Sequence, residues 1–251
     1  MREQAPPQGA QAALRAIRLL KLFTAEAPEL RLAELSCLSG LNKTTTHRLL
    51  QALLSEELLD RNPGTSAYRL GPGMMALGVQ ALSSNDLRLR ARPLLKRLAE
   101  ETGETATLEV PIDDTMLILD EVTSKHFVGA SGNVGTRWPI HATSTGKALI
   151  AFELHGRDRL RAELPSLTSR TITNFDVLEK QLGDIRRRGF AEVVDELEEG
   201  LSGVGAVVRG GMGEILGALS ICGPTHRMSE NRRAQLGATL CTVAAHLQPR
   251  H

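Results

Sequence analysis

Between Leu32 and Leu54 the chain reads LAELSCLSGLNKTTTHRLLQALL, two short helical patterns separated by Gly40. Glycine accepts positive φ without steric cost, as a tight turn between crossing helices requires. Ser36, four residues earlier, is small enough for the two helices to approach closely. Leu35, Leu41, Thr46 and Leu49 fall on the inner face of such a helix-turn-helix, and Asn42 is a good N-cap for its second helix. That burial leaves Asn42, Lys43, Thr44, His47, Arg48 and Gln51 outward, with Thr45 beside them. The helix carries no acid. Its outer face offers cationic donors for phosphates and amide or guanidinium groups for base edges, the chemistry of a helix laid in a major groove.

The flanks extend the unit. Leu58-Leu59-Asp60, the turn Asn62-Pro63-Gly64-Thr65 and Ser66 to Leu70 read as strand, turn and strand. A hairpin directly after a recognition helix is a wing, which puts Arg61, Tyr68 and Arg69 near phosphates. Upstream, Leu14, Ile17, Leu20 and Phe23 recur at three-residue spacing, a helical stripe able to support the unit. Residues 10–72 are thus expected to form a winged helix-turn-helix, with its helix-turn-helix at 32–51. Residues 1–9, MREQAPPQG, read as a flexible polar tail.

Charge and composition narrow the partners. Formal net charge is only +1, and the first 80 residues hold nine Lys/Arg against seven Asp/Glu. Broad basic surface is therefore not available for nonspecific binding, and placement of charge matters instead. Aromatic residues make up 3% of the chain, too few for the stacking platforms that single-strand and RNA readers use. Duplex DNA is the expected nucleic-acid partner. No apolar run reaches 18 residues and the first residues lack a secretory core, so no membrane span is expected and the setting is cytoplasmic. Cys37, Cys222 and Cys241 are widely spaced and are expected as small buried hydrophobes.

Beyond Gly71-Pro72-Gly73 the pattern changes. Met74 to Leu82 suggests a connecting helix. Leu87, Ala91, Leu94 and Leu98 mark another from Asp86, with Pro93 expected to break or kink it. Residues 73–102 are read as linker plus first helix of a second domain, 103–251. Candidate strands there are Thr105–Val110, Met116–Val122, Phe127–Ala130, Ala191–Val194, Gly205–Val208 and Ile215–Cys222. Helices are expected at Thr145–Leu154, Leu178–Arg188 and Glu230–Leu247. Strands in hairpins with helices on one side predict an α+β domain with a mostly antiparallel sheet.

Chemistry is harder to find in this half. Ser144-Thr145-Gly146-Lys147 departs from the Walker pattern at His141 and Ala148, which leaves Lys147 as a surface or linking cation. No histidine pair has metal-ligand spacing, and no GxSxG elbow occurs. Asp195, Glu196, Glu198 and Glu199 read as a solvated turn. No catalytic residue, cofactor or metal is expected. Thr143-Ser144-Thr145 does supply a helix start, whose free N–H groups can meet a carboxylate.

GLNKTTTHRLLQAL with YRLG, then ETGETATLEV, VGTRWPIHATSTGKALIAF, RRRGFAEVVDELEEGL and ALSICGP, together resemble the IclR family of bacterial transcription regulators over nearly the whole chain. The resemblance implies a winged helix-turn-helix, a linker helix and a GAF-like effector-binding domain. It also implies a homodimer or tetramer that represses or otherwise controls an operon in response to a small molecule. It places the pocket at Ser144, Thr145, Val193, Gly203, Ser220 and Cys222. Val193 and Val207 depart from residues common among relatives. An apolar wall of Val193, Val207, Cys222 and Trp138 then favours a monocarboxylate or aromatic acid. The alternative is a GAF-like small-molecule-binding protein with an enzymatic or signalling role.

Overall fold

The computed structural model describes residues 9–24, 26–123 and 133–247, in two compact units, 1–84 and 85–251. The N-terminal unit contains α1 (Gln11–Leu20), α2 (Leu32–Ser39), α3 (Lys43–Ser55), the hairpin β1 (Leu59–Arg61) and β2 (Tyr68–Leu70), and α4 (Pro72–Ser83). Gly40 ends α2 at φ +67°, and Ser36 Oγ donates to the Leu41 carbonyl at 2.6 Å. The serine therefore fastens the turn as well as fitting between helices. Asn42 caps α3 by accepting from the Thr45 N–H at 2.8 Å. Leu19, Leu30, Leu35, Leu49, Leu50, Leu53, Leu59 and Tyr68 form the core.

Three expectations fail in this unit. Leu19 is the buried residue of α1, whereas Ile17 is 50% exposed, so the three-residue spacing picks the wrong edge of the helix. Tyr68 is buried rather than beside phosphates, because its backbone bonds both ways to Leu30 and turns the ring into the core. Cys37 is exposed on α2.

In the C-terminal unit, α5 (Asp86–Thr102) leads into β3 (Thr105–Ile112), β4 (Thr115–Val122), β5 (Arg137–Pro139) and α6 (Ser144–Phe152). Then follow α7 (Phe175–Arg188), β6 (Ala191–Val194), β7 (Leu201–Arg209), β8 (Ile215–Pro224) and α8 (Glu230–His246). The strands form one six-stranded antiparallel sheet in the order β5-β4-β3-β8-β7-β6. Pro93 does not break α5. Pro93 and Leu89 both lie on its exposed side, so the carbonyl that loses its partner faces water. The short β5 was not anticipated, and the expected strand Phe127–Ala130 lies outside the described residues.

Helices cover both faces of the sheet, not one. Strand alternation turns Gly203 and Gly205 of β7 toward α6, and Val204 and Ala206 toward the face carrying α5 and α8. A Cβ on Gly205 would come within 2.6 Å of the Ser144 carbonyl carbon, so glycine there lets the start of α6 rest directly on β7. Ala148, Leu149 and Ile150 of α6 pack with Leu178, Leu182 and Ile185 of α7, and Val207 lies against this cluster.

Lys147 is not a surface cation. Its side chain has 0% exposure, and Nζ donates to both Glu196 oxygens at 2.5 Å. Glu196 is accordingly buried, not part of a solvated turn. Burying two ions is tolerable only when each satisfies the other. Lys147→Met should cost about 3–5 kcal/mol in urea unfolding by stranding the Glu196 carboxylate, with much of the loss recovered in Lys147→Met/Glu196→Leu. Equal stability of the single and double variants would show that the pair is not coupled.

Candidate DNA-binding face and effector cavity

On α3, Asn42, Lys43, Thr44, His47, Arg48 and Gln51 are exposed and Thr45 is half-buried. Burial of Thr46, Leu49, Leu50 and Leu53 on the opposite side enforces this face. The Thr46 hydroxyl donates to the Asn42 carbonyl at 3.0 Å, which removes a polar group from the core interface. Gln51 Nε2 and His47 Nε2 lie 3.4 Å apart, one turn along the face. Lys43 and Arg48 take part in none of the ion pairs among the described residues.

The wing differs in its charge economy. Asp60 and Arg69 sit opposite each other in the β1–β2 register and pair at 2.6 Å. The Arg69 guanidinium holds the Asp60 carboxyl below its ordinary range. Arg61 lies over the Tyr68 ring at 5.7 Å and donates to the Ser66 carbonyl at 3.3 Å. Among the described residues Arg61 enters no ion pair, whereas Arg69 shares its charge with Asp60 and, at 3.9 Å, Glu29.

In the C-terminal unit, Ser144, Thr145, Val193, Gly203, Ser220 and Cys222 all line one cavity, whose empty space is about 640 Å³ with the open solvent at its mouth included. Thr143 Oγ1 accepts from the Gly146 N–H at 3.1 Å and caps α6, whose first turn forms one wall. Ser220 and Cys222 face the cavity, and Leu219 and Ile221 face the core, as period-two alternation requires. Trp138 joins the lining, but Val207 does not. It stands on the same face of β7 farther along, beneath the body of α6.

Two acids were missed. Glu109 follows Thr105 and Thr107 on the cavity side of β3, and its carboxyl accepts from Thr107 Oγ1 at 2.8 Å and Thr145 Oγ1 at 2.6 Å. Burial pushes its pKa up against the lowering effect of both hydroxyls. On β4 the register passes from Leu108↔Asp120 to Glu109↔Ile118, leaving Leu119 as an extra residue. A bulge of this kind re-aims the side chains beyond it. Asp120 consequently turns to Arg92 of α5 at 2.6 Å, while Glu121 enters the cavity. Burial, then the neighbouring Glu109 and Asp120 charges, raise Glu121 to about 7. Alternation of Thr105, Thr107 and Glu109 could have revealed the first acid from sequence; nothing local signals the bulge that delivers the second. Cys222 is half-buried and its thiol is pushed up to about 12, chiefly by burial, which makes it inert as a nucleophile.

Among the described residues no group of three or more His, Cys, Asp or Glu side chains could hold a metal ion, and no helix is long and apolar enough to cross a membrane. A winged helix-turn-helix and an antiparallel α+β unit with a lined cavity define a DNA-binding regulator architecture. The IclR helix-turn-helix domain matches residues 12–63, and the C-terminal domain of the bacterial transcriptional regulator IclR matches residues 79–248. The chain belongs to the IclR family of bacterial transcription regulators.

XynR, a helix-turn-helix transcriptional regulator of Escherichia coli K12, is 32% identical over 235 residues, covering 90% of this chain and 92% of its own. BhcR of Paracoccus denitrificans is 33% identical over 242 residues, covering 95% and 86%. The crystal structure of a putative IclR transcriptional regulator from Silicibacter sp. TM1040 superposes with a TM-score of 0.84 at 27% identity, covering 94% of each chain. XynR and BhcR are both HTH-type transcriptional regulators.

The position of Glu121 has a pH signature. In the fold it keeps its proton to about pH 7, whereas the unfolded chain releases it near 4.5. Between these values the unfolded state binds fewer protons, so this residue makes stability fall as pH rises. Urea midpoints measured from pH about 5 to about 8 should decline less steeply in Glu121→Gln than in wild type. Parallel profiles would place the Glu121 carboxyl in water.

Proposed function

We propose that this protein is a cytoplasmic, sequence-specific repressor-type regulator that binds duplex DNA as a homo-oligomer and responds to a small organic or aromatic acid. Residues 10–72 bind DNA, 73–102 connect, and 103–251 bind the effector. The observation that carries the reading is the exposed face of α3, where two unpaired cations stand among amide and hydroxyl side chains with no acid. Asn42, Lys43, Thr44, Thr45, His47, Arg48 and Gln51 contact the major groove, with Arg61 and Arg69 at flanking phosphates.

A base contact contributes about 1–3 kcal/mol, and specific over nonspecific binding takes roughly 4–10 kcal/mol. One short helix is marginal, so two act on a two-fold site. Arg48→Ala and Lys43→Ala should each weaken operator binding about tenfold or more in gel-shift titrations, with unfolding midpoints unchanged. Wild-type binding by both variants would remove α3 from the interface.

The oligomer is supported by α4. Its sequence PGMMALGVQALS is mostly apolar, none of its residues is buried, and Met75, Leu77 and Val79 are 65%, 55% and 63% exposed. A helix this apolar needs a partner surface. Sedimentation should find a dimer or tetramer at micromolar concentration, shifted toward monomer by Met75→Glu/Val79→Glu. A wild-type monomer, with and without DNA, would refute the assignment.

The effector's carboxylate meets the Ser144 and Thr145 N–H groups at the first turn of α6 and the Ser220 hydroxyl, while Val193, Gly203, Cys222 and Trp138 enclose its body. A monocarboxylate fits this end better than a dicarboxylate, because the cavity has no basic side chain among its lining residues.

A further inference from the structure

An anion site alone leaves part of the cavity unexplained. The same cavity is lined by Glu109 and Glu121, the second aimed inward by the β4 bulge across from Thr107. Glu109 is 6% exposed and already accepts the Thr145 hydroxyl at the start of α6. Ser220 is 4% exposed and faces the same space, yet its hydroxyl has no hydrogen-bond partner among the described residues. Its oxygen opens to the cavity rather than being sealed in the core, so a ligand there can fill its valence. A ligand bearing only a carboxylate satisfies Ser220 but sets its charge near two carboxyls without relieving either.

We infer that the effector carries, besides its acid group, a proton-donating group, hydroxyl or ammonium, which Glu109 and Glu121 accept. This inference rests on the proposed carboxylate site at α6 and adds its counterpart. The two glutamates are then specificity determinants. A simple acid brings them only further acceptors, whereas an acid that carries a donor gives them a hydrogen bond beyond the two hydroxyls Glu109 already accepts. Burial strengthens this discrimination, since a mismatched polar contact costs most where water is scarce. The raised Glu121 pKa accords with a group that gives up its proton when a cation or donor arrives.

Matched probes separate the terms. Calorimetry on the full chain would compare phenylacetate with 4-hydroxyphenylacetate, and butyrate with 4-aminobutyrate, in wild type, Glu121→Gln and Glu109→Gln. A hydrogen bond to a charged group predicts that at least one donor-bearing probe binds wild type about tenfold or more tightly than its donor-free partner. The hydroxyl pair and the amine pair tell which donor is read. The preference should shrink several-fold in Glu121→Gln, the partly exposed position and so the variant that best keeps its fold. Donor-free acids that bind as tightly as their partners would overturn this inference and leave the carboxylate site standing. So would a preference that survives both substitutions. Silence of the whole panel at millimolar concentration would overturn both readings, and the wild-type comparison decides even if Glu109→Gln does not fold.

Discussion

Lys147 and Glu196 face each other at 2.5 Å with almost no water around either side chain. The pair joins α6 to the loop after β6, and that loop is further held by Thr171, whose hydroxyl donates to the Glu196 carbonyl at 2.7 Å. Three walls of the cavity meet at this joint. The first turn of α6 supplies Ser144 and Thr145, the strand before the loop supplies Val193, and the far side of the loop returns as β7 with Gly203. Gly205 completes the arrangement by letting the α6 backbone settle on the sheet. An ion pair wholly out of water is an expensive way to fix a helix, but it fixes one direction and one distance, which a greasy contact would not.

The N-terminal unit was largely legible in the residues. Its signals are local: a glycine at positive φ, an asparagine cap, turn residues in the wing and leucines at helical spacing all act within a few positions of one another. The errors there are tertiary. Ile17 and Leu19 differ in burial because of where α1 meets α3, and Tyr68 turns inward because Leu30 pairs with its backbone from far away in sequence.

In the C-terminal unit the order of strands and helices could be read, along with the lining positions implied by family resemblance. What escaped was whatever depends on pairing between distant segments. Lys147 looked like a solvent cation because its partner lies 49 positions away. Helices on both faces follow from which strands adjoin in the sheet, and hairpin spacing does not encode that. Glu121 was hidden by a single unpaired residue in β4, since a strict alternation would have pointed Asp120 inward instead.

The Asp60–Arg69 pair across the wing has a consequence for thermodynamics in solution. Counterion release on binding a duplex scales with the number of phosphates that protein cations neutralise. On the proposed reading, a wing arginine paired within its own hairpin releases fewer ions than a free one, which shifts the contribution toward Lys43, Arg48 and Arg61. The affinity of such a protein declines gently with ionic strength compared with a broadly basic binder. On that reading its hold on DNA is weighted toward base edges and away from the polyelectrolyte field, so that a change in salt concentration moves occupancy at a specific site and at random sequence by similar, modest factors.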